Sequence, residues 1–143
     1  MREIKFRGKS ELSHEWRYGN FIMIGKYPHI VENQEIGLDG HHIRQISDRP
    51  TWIIPETLGQ YTGVKDANGV PIYEGDIIAD NDNPSIRHLI FYKEEQGRFM
   101  AALNGDIEND FFGVCGLDDR KWNANKVVIG NIHDNPELLT PNK

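Results

Sequence analysis

Apolar and polar residues alternate with a period of two along much of this chain, and this alternation constrains the fold more than any other feature. Residues 4–9 place isoleucine, phenylalanine and glycine between lysines and an arginine. Successive side chains of a β-strand point to opposite faces, so the segment is predicted to form a strand with one apolar and one cationic face. No stretch has the 3.6-residue period of a long amphipathic helix. Further strands are predicted at residues 16–25, 29–31, 42–46, 51–54, 87–92, 98–103 and 126–132.

The middle of the chain predicts a β-hairpin. An Asn-Gly pair at residues 68–69 tolerates the positive φ angles that hairpin turns require, and it separates strand-forming runs at residues 61–65 and 70–73. A Gly-Asp pair at residues 75–76 then predicts a tight turn before the strand at residues 77–80. The aspartate carboxylate is expected to accept backbone N–H groups there. Openings of this kind are common in small SH3-like barrels.

Two short helical turns complete the predicted fold. Residues 55–59 begin with proline and end with glycine, as short helices often do. Near the C-terminus Pro136 follows Asp134 and Asn135, either of which is a suitable N-cap. The fold class is therefore predicted to be mostly β: a small SH3-like barrel with additional N-terminal strands and short helical turns.

Length and cysteine content favour a single domain in a reducing compartment. A chain of 143 residues buries a core without disulfides or metals. About residues 1–60 are expected to form the N-terminal β region and about residues 61–140 the barrel. One cysteine, Cys115, excludes a disulfide within the chain, which fits a bacterial cytoplasm. No apolar core of a signal peptide and no apolar run of 18 residues is present, so no membrane association is expected.

No residues form a recognisable catalytic or metal-binding pattern. His41 and His42 are adjacent, so in a strand they face opposite sides, and no Cys or His pair has zinc-site spacing. Asp106, Glu108 and Asp110 would share one face if the segment were a strand, but a solvated face or loop is favoured over a cation site. The serines lack a nucleophile-elbow pattern, and no glycine-rich loop cradles phosphate. We therefore expect no enzyme activity, no metal and no cofactor.

The first predicted strands contain the candidate ligand contacts. Lys5, Arg7 and Lys9 share one strand face, and Trp16 and Tyr18 share a face of the next strand. Such residues are able to bind phosphates and stack on bases, as in single-strand nucleic-acid binders. The alternative interpretation makes the cations a solvated surface and the two rings part of the core. The net charge of −6 favours the alternative, because it opposes phosphate binding.

Several segments together resemble the YopX family of phage and prophage proteins. They are residues 4–9, 16, 18–19, 55–66, 68–69, 72–78, 128–132 and 135–139. The turn and strand residues of this pattern are Gly63, Asn68, Gly69, Tyr73, Gly75, Asp76, Gly130 and Asn131. The resemblance implies a largely β fold around a small barrel in a protein encoded by a phage or prophage. It implies no particular activity, and residues 26–50 and 81–125 fall outside the matched pattern.

Three functional hypotheses follow. The first is a non-catalytic binding or assembly module that contacts a protein partner, with a homo-oligomer as one form of it. The second is a nucleic-acid-associated phage protein that uses the N-terminal basic strand, although the net charge disfavours it. The third is a small hydrolase whose active site is assembled from residues distant in sequence.

Overall fold

The computed structural model describes residues 3–32, 50–109, 111–113 and 123–140. Within these ranges the protein is mostly β. The strands are β1 (Phe6–Lys9), β2 (Trp16–Ile24), β3 (Tyr27–Val31), β4 (Thr51–Trp52), β5 (Gly59–Lys65), β6 (Pro71–Tyr73), β7 (Asp76–Asp80), β8 (Arg87–Lys93), β9 (Arg98–Leu103), β10 (Phe111–Gly113) and β11 (Lys126–Asn131). Short 3-10 turns cover Pro55–Thr57, Glu94–Gln96, Asn123–Asn125 and Pro136–Leu139. The strand predicted at residues 42–46, the pair His41 and His42, and Cys115 lie outside the described residues.

The strands pair into two antiparallel sheets, ordered β4-β3-β2-β1-β5-β6 and β10-β9-β8-β7-β11. The chain also separates into two compact units, Ile4–Gln60 and Tyr61–Lys143 with Met1–Glu3. We refer to these as the N-terminal unit and the C-terminal unit. Neither sheet closes into a barrel through its described strands, so the mostly β prediction is confirmed and the SH3-like barrel is not.

The N-terminal unit buries one face of β1, β2 and β3. The rings of Phe6 and Phe21 meet with centroids 5.4 Å apart, and Ile30 and Ile53 are fully buried. Gly8 lies against Ile53 so closely that a Cβ atom at position 8 would overlap its side chain. Close packing on the apolar face of β1 therefore requires glycine at position 8.

The C-terminal unit has its own apolar core. Ile72, Ile78, Ile90 and Ala101 are almost completely inaccessible to solvent and form one cluster. Half-buried residues from three further positions pack against it, namely Val64, Phe99 and Val128. These core side chains come from six strands, β5 and β6 of one sheet and β7, β8, β9 and β11 of the other. Hydrophobic burial therefore packs strands of both sheets into one core in this unit.

The predicted hairpin forms between β5 and β6, and the carboxylate of Asp66 organises its turn. One oxygen accepts the N–H groups of Asn68 and Val70 at 2.8 and 2.9 Å, and Gly69 N–H donates to the Asp66 carbonyl. The other oxygen accepts the N–H of Val128, 62 residues away, at 3.0 Å. A single buried carboxylate therefore fixes the turn and connects it to β11.

The Gly-Asp turn and the end of β11 are built in the same way. The Asp76 carboxylate is buried and accepts the N–H of Tyr73 at 2.8 Å, as the sequence predicts for this turn. Asn131 ends β11, and its side-chain oxygen accepts the N–H groups of His133 and Asp134. Gly63 and Gly75 adopt positive φ in this part of the chain, and Gly130 follows the register shift in β11. These residues serve the local fold.

Two local features bear on the sequence predictions. The acidic stretch begins with Asn104 and Gly105 in the left-handed region, and residues 104–109 form turns, in line with the favoured interpretation of a solvated face or loop. Asp110 lies outside the described residues. The final 3-10 turn begins at Pro136 with Asn135 as its N-cap, as predicted, but the Asn135 side chain makes no capping hydrogen bond. The Asn135 side chain accepts the N–H of Asn131 instead, at 3.3 Å, because the tight turn after β11 brings that donor within reach.

Candidate binding face

One face of the N-terminal sheet, opposite its buried core, gathers the candidate residues. Directly paired residues of antiparallel strands point to the same face. The register pairs Arg7 with Tyr18 and Lys9 with Trp16, and it pairs His29 with both Ile22 and Trp52. We define the outer face as Lys5, Arg7, Lys9, Trp16, Tyr18, Asn20, Ile22, Ile24, Tyr27, His29, Val31 and Trp52.

Cations and aromatic rings interleave at one end of the outer face. The Arg7 guanidinium lies over the Trp16 ring, with Cζ 4.6 Å from the ring centroid. The Lys9 ammonium lies 5.8 Å from the same centroid, and the Lys5 ammonium lies 6.0 Å from that of Tyr18. Each contact of this type contributes about 0.5–2 kcal/mol, more as the cation is desolvated. The five residues singled out in the sequence therefore form one connected group.

Arg7 has a structural role within this group. Its side chain is only 6% exposed although it lies on the outer face. On the β2 side, the Arg7 side chain contacts the Trp16 ring. On the β5 side, the residue paired with Arg7 is Gly59, which has no side chain. The buried guanidinium holds the ring in place, whereas Lys5 and Lys9 are half-buried and Tyr18 is exposed. Tyr18 and the two lysines are thus more accessible to solvent than Arg7.

The other end of the outer face exposes large apolar side chains. Ile22, Ile24, Tyr27 and Trp52 are between 38% and 53% accessible to solvent. Tyr27 and Trp52 contact each other edge to face, with ring centroids 5.0 Å apart. Contiguous exposed apolar surface of this kind marks interaction sites in soluble proteins. Sequence reasoning missed these residues, although Ile22 and Ile24 continue the even-numbered series of Trp16 and Tyr18 along β2.

None of the twelve residues that define the outer face is an aspartate or glutamate. Glu15 and Glu32 form ion pairs with Arg17, which lies on the opposite face of β2. The whole N-terminal unit, Ile4–Gln60, contains seven Lys and Arg and seven Asp and Glu, so its formal charge is zero. The net charge of −6 therefore belongs entirely to the rest of the chain. The argument from net charge against an anionic ligand does not apply to this unit.

The remaining candidate sites offer less. Among the described residues no three His, Cys, Asp or Glu side chains are grouped to hold a metal ion. The Ser10 hydroxyl accepts the N–H groups of Leu12 and Ser13 and so stabilises a turn. An open cleft of about 440 Å³ in the C-terminal unit is lined mainly by residues 91–95, with Ile107 and Glu108. No helix in the described part of the chain is long and apolar enough to cross a membrane.

Fold and surface together define a mostly β protein of two antiparallel sheets with one exposed face of aromatic, aliphatic and basic side chains. The chain belongs to the YopX family: the match to the family described as YopX protein covers residues 5–140, which confirms the resemblance. The crystal structure of protein EF1440 from Enterococcus faecalis is similar, with 27% identity and a TM-score of 0.59. That similarity covers 97% of this chain and 99% of the other. The comparison with curated proteins finds no match.

Proposed function

We propose that this protein is a non-catalytic binding module that docks a protein partner on the outer face of its N-terminal sheet. The observation that carries the proposal is the contiguous exposure of Ile22, Ile24, Tyr27 and Trp52 on one side of paired strands. The family resemblance and the single cysteine support a phage- or prophage-encoded protein that acts in the bacterial cytoplasm. The SH3-like barrel remains part of this proposal.

The chemistry of the face suits a protein interface. Aromatic residues, methionine and arginine are enriched in interfaces, and fixed aromatic side chains lose little conformational entropy on binding. Tyr27 and Trp52 restrain each other through their ring contact, and Trp16 is restrained by the Arg7 guanidinium. These aromatic side chains are therefore ordered before a partner arrives, which favours their use as binding hot spots.

Nucleic acid is the second candidate ligand. The observation that favours it is the gathering of Lys5, Arg7 and Lys9 with two aromatic rings on a unit of zero formal charge. Against it, the Trp16 ring already holds the Arg7 guanidinium, so that ring is less available for stacking on a base. Binding to nucleic acid would weaken steeply as salt concentration rises.

The test is quantitative affinity purification of three tagged proteins from a bacterial host that expresses them. They are the wild type, Tyr27→Ala/Trp52→Ala, and the control Tyr92→Ala/Ile107→Ala. The control removes two large apolar side chains of the C-terminal unit that are 43% and 45% exposed. Circular dichroism establishes that each variant is folded.

We expect a stoichiometric protein partner that is retained by the control and lost by Tyr27→Ala/Trp52→Ala. Partner recovery that is the same for all three proteins would contradict the proposal. Recovery of nuclease-sensitive nucleic acid in place of protein would favour the second candidate. A partner that proves to be another copy of this chain would identify the module as self-assembling.

A further inference from the structure

The hairpin formed by β2 and β3 extends beyond the core of the N-terminal unit. Phe21 and Met23 point to the inner face of the sheet, which is the face opposite the outer face, and they pair with Ile30 and Pro28. Ile30 is fully buried, whereas Met23, two residues nearer the turn than Phe21, is 52% exposed. The inner face is therefore covered by the core at Phe21 and open to solvent at Met23.

The end of this hairpin stands in open space. Ile24 and Tyr27 are its last paired residues, and Gly25 and Lys26 form the turn between them. Gly25 adopts a φ of +63°, and a Cβ atom at this position would have no heavy atom within 4 Å apart from its neighbours in the chain. At about 3.3 Å per residue, β2 advances about 13 Å over the four residues that lead to the turn. The end of the hairpin is therefore a narrow projection.

Apolar side chains are exposed on both faces of this projection. We refer to residues 22–27 as the hairpin tip. Four side chains on the outer face and one on the inner face are between 38% and 53% exposed: Ile22, Ile24, Tyr27 and the adjacent Trp52, and on the inner face Met23. A flat partner on the outer face would leave Met23 in water, whereas a pocket that receives the hairpin tip covers both faces.

The available area favours enclosure of the hairpin tip over contact on one face. A large apolar side chain that is half exposed presents about 100 Å² to a partner. The four such side chains on the outer face therefore offer about 400 Å², half of the ~800 Å² that each partner buries in a standard interface. Enclosure adds Met23 and the exposed turn, about 200 Å² more. A pocket therefore reaches the size of a stable interface with fewer additional contacts.

The hairpin has almost no charge. Lys26 is the only Asp, Glu, Lys or Arg between residues 18 and 31. Binding to a polyanion depends on several cations, and one lysine does not supply them. Burial of apolar surface is then the main source of affinity, and salt does not screen it as it screens attraction between charges. These properties fit an apolar pocket of a protein better than a nucleic acid.

From these observations we infer that the hairpin tip inserts into an apolar pocket of the protein partner, and that this pocket encloses both faces of the tip. The inference rests on the proposed function and specifies the shape and chemistry of the site on the partner. It also assigns a binding role to Met23, which does not belong to the outer face.

Site-specific photo-crosslinking tests whether one partner covers both faces of the hairpin tip. The photoreactive residue p-benzoylphenylalanine replaces Met23, Ile24 or Leu12 in the tagged full chain, which is irradiated in the bacterial host that expresses it. Leu12 is the matched control, because it is an apolar residue of the same unit that is 90% exposed and lies outside the tip. Mass spectrometry identifies the cross-linked proteins, and circular dichroism checks that each variant is folded.

Affinity purification of Met23→Glu and Leu12→Glu gives an independent measurement. Both variants replace an exposed apolar side chain with a carboxylate. We expect Met23→Glu to lower recovery of the partner at least about tenfold, because a charge would enter an apolar pocket, and Leu12→Glu to leave recovery unchanged. Recovery by the wild type should persist at about 1 M salt, where the Debye length is only about 3 Å.

The outcomes separate the inference from the proposed function. We expect positions 23 and 24 to cross-link to the same protein and position 12 to give no cross-link to it. Cross-links from position 24 but not from position 23, or full recovery by Met23→Glu, would overturn the pocket and leave the binding module intact. Absence of cross-links from both tip positions, together with full recovery by Tyr27→Ala/Trp52→Ala, would overturn both. Cross-links to a second copy of this chain or to lipid would overturn the inference in favour of self-assembly or a membrane surface.

Discussion

Replacement of Asp66 tests whether one buried carboxylate stabilises the most recognisable part of the chain. Its bond to the Val128 N–H joins segments 62 residues apart, and hydrogen bonds to a charged group contribute about 1.5–3 kcal/mol. The bonds to Asn68 and Val70 lie in an exposed turn where water replaces them, so they add about 1 kcal/mol together. Asp66→Ala should therefore lower the free energy of unfolding by about 3 kcal/mol.

Asp66→Asn separates the two contributions. The amide keeps one oxygen for the turn but turns an NH₂ group toward the Val128 N–H, so about 2 kcal/mol should be lost. The control is Asp106→Ala, which removes an exposed turn carboxylate that accepts the N–H of Asn109 and should cost less than about 0.5 kcal/mol.

Urea unfolding followed by circular dichroism measures these differences. In a thermal scan Asp66→Ala should lower the melting temperature by about 10 °C, since 1 kcal/mol corresponds to about 3 °C at this chain length. A loss below about 1 kcal/mol for Asp66→Ala, or equal losses for Asp66→Ala and Asp106→Ala, would refute the reasoning.

Three further predictions concern stability. Gly8→Ala should cost about 2–4 kcal/mol in urea unfolding, because its Cβ overlaps Ile53 in the core, and an unchanged midpoint would contradict the close packing. Arg7→Ala should cost about 1–3 kcal/mol, since it removes a buried guanidinium from the ring it covers; wild-type stability would show that the stacking is dispensable. Burial, and secondarily the negative charge of Glu3, raises the pKa of Tyr61 above its ordinary value of 10.0. The folded pKa then exceeds the unfolded one, so this contribution to stability is complete below about pH 10 and is lost as pH rises through the folded pKa. Urea midpoints measured from about pH 9 to 11 should fall more for the wild type than for Tyr61→Phe, and parallel curves would contradict the shift.

Local sequence patterns were sufficient to predict most strands. The period of two in β1 and β2 reflects a sheet with one buried face, and the Asn-Gly and Gly-Asp pairs mark turns because few other residues adopt those backbone angles. A short-range signal gives the position of a cap but not the partner of its side chain. Asn135 is the N-cap of the final turn, as predicted, but its side-chain oxygen accepts the N–H of Asn131 and not an N–H of the turn.

The candidate face was only partly predictable for the same reason. Lys5, Arg7, Lys9, Trp16 and Tyr18 lie on two adjacent strands joined by a short connection, so their meeting follows from alternation and register. Tyr27 and Trp52 meet through the pairing of β3 with β4, which are distant in sequence, and no local pattern specifies that pairing. The net charge of the chain does not describe this face, because an average over the chain hides the neutral N-terminal unit.

The most direct test of the binding face is chemical-shift mapping of ¹⁵N-labelled protein with the partner recovered by affinity purification. The account predicts that perturbed amides concentrate in β1, β2, β3 and β4, and that Tyr27→Ala/Trp52→Ala abolishes the changes. Perturbations confined to the C-terminal unit, for example around the cleft at residues 91–95, would contradict the claim that the outer face of the N-terminal sheet is the binding surface.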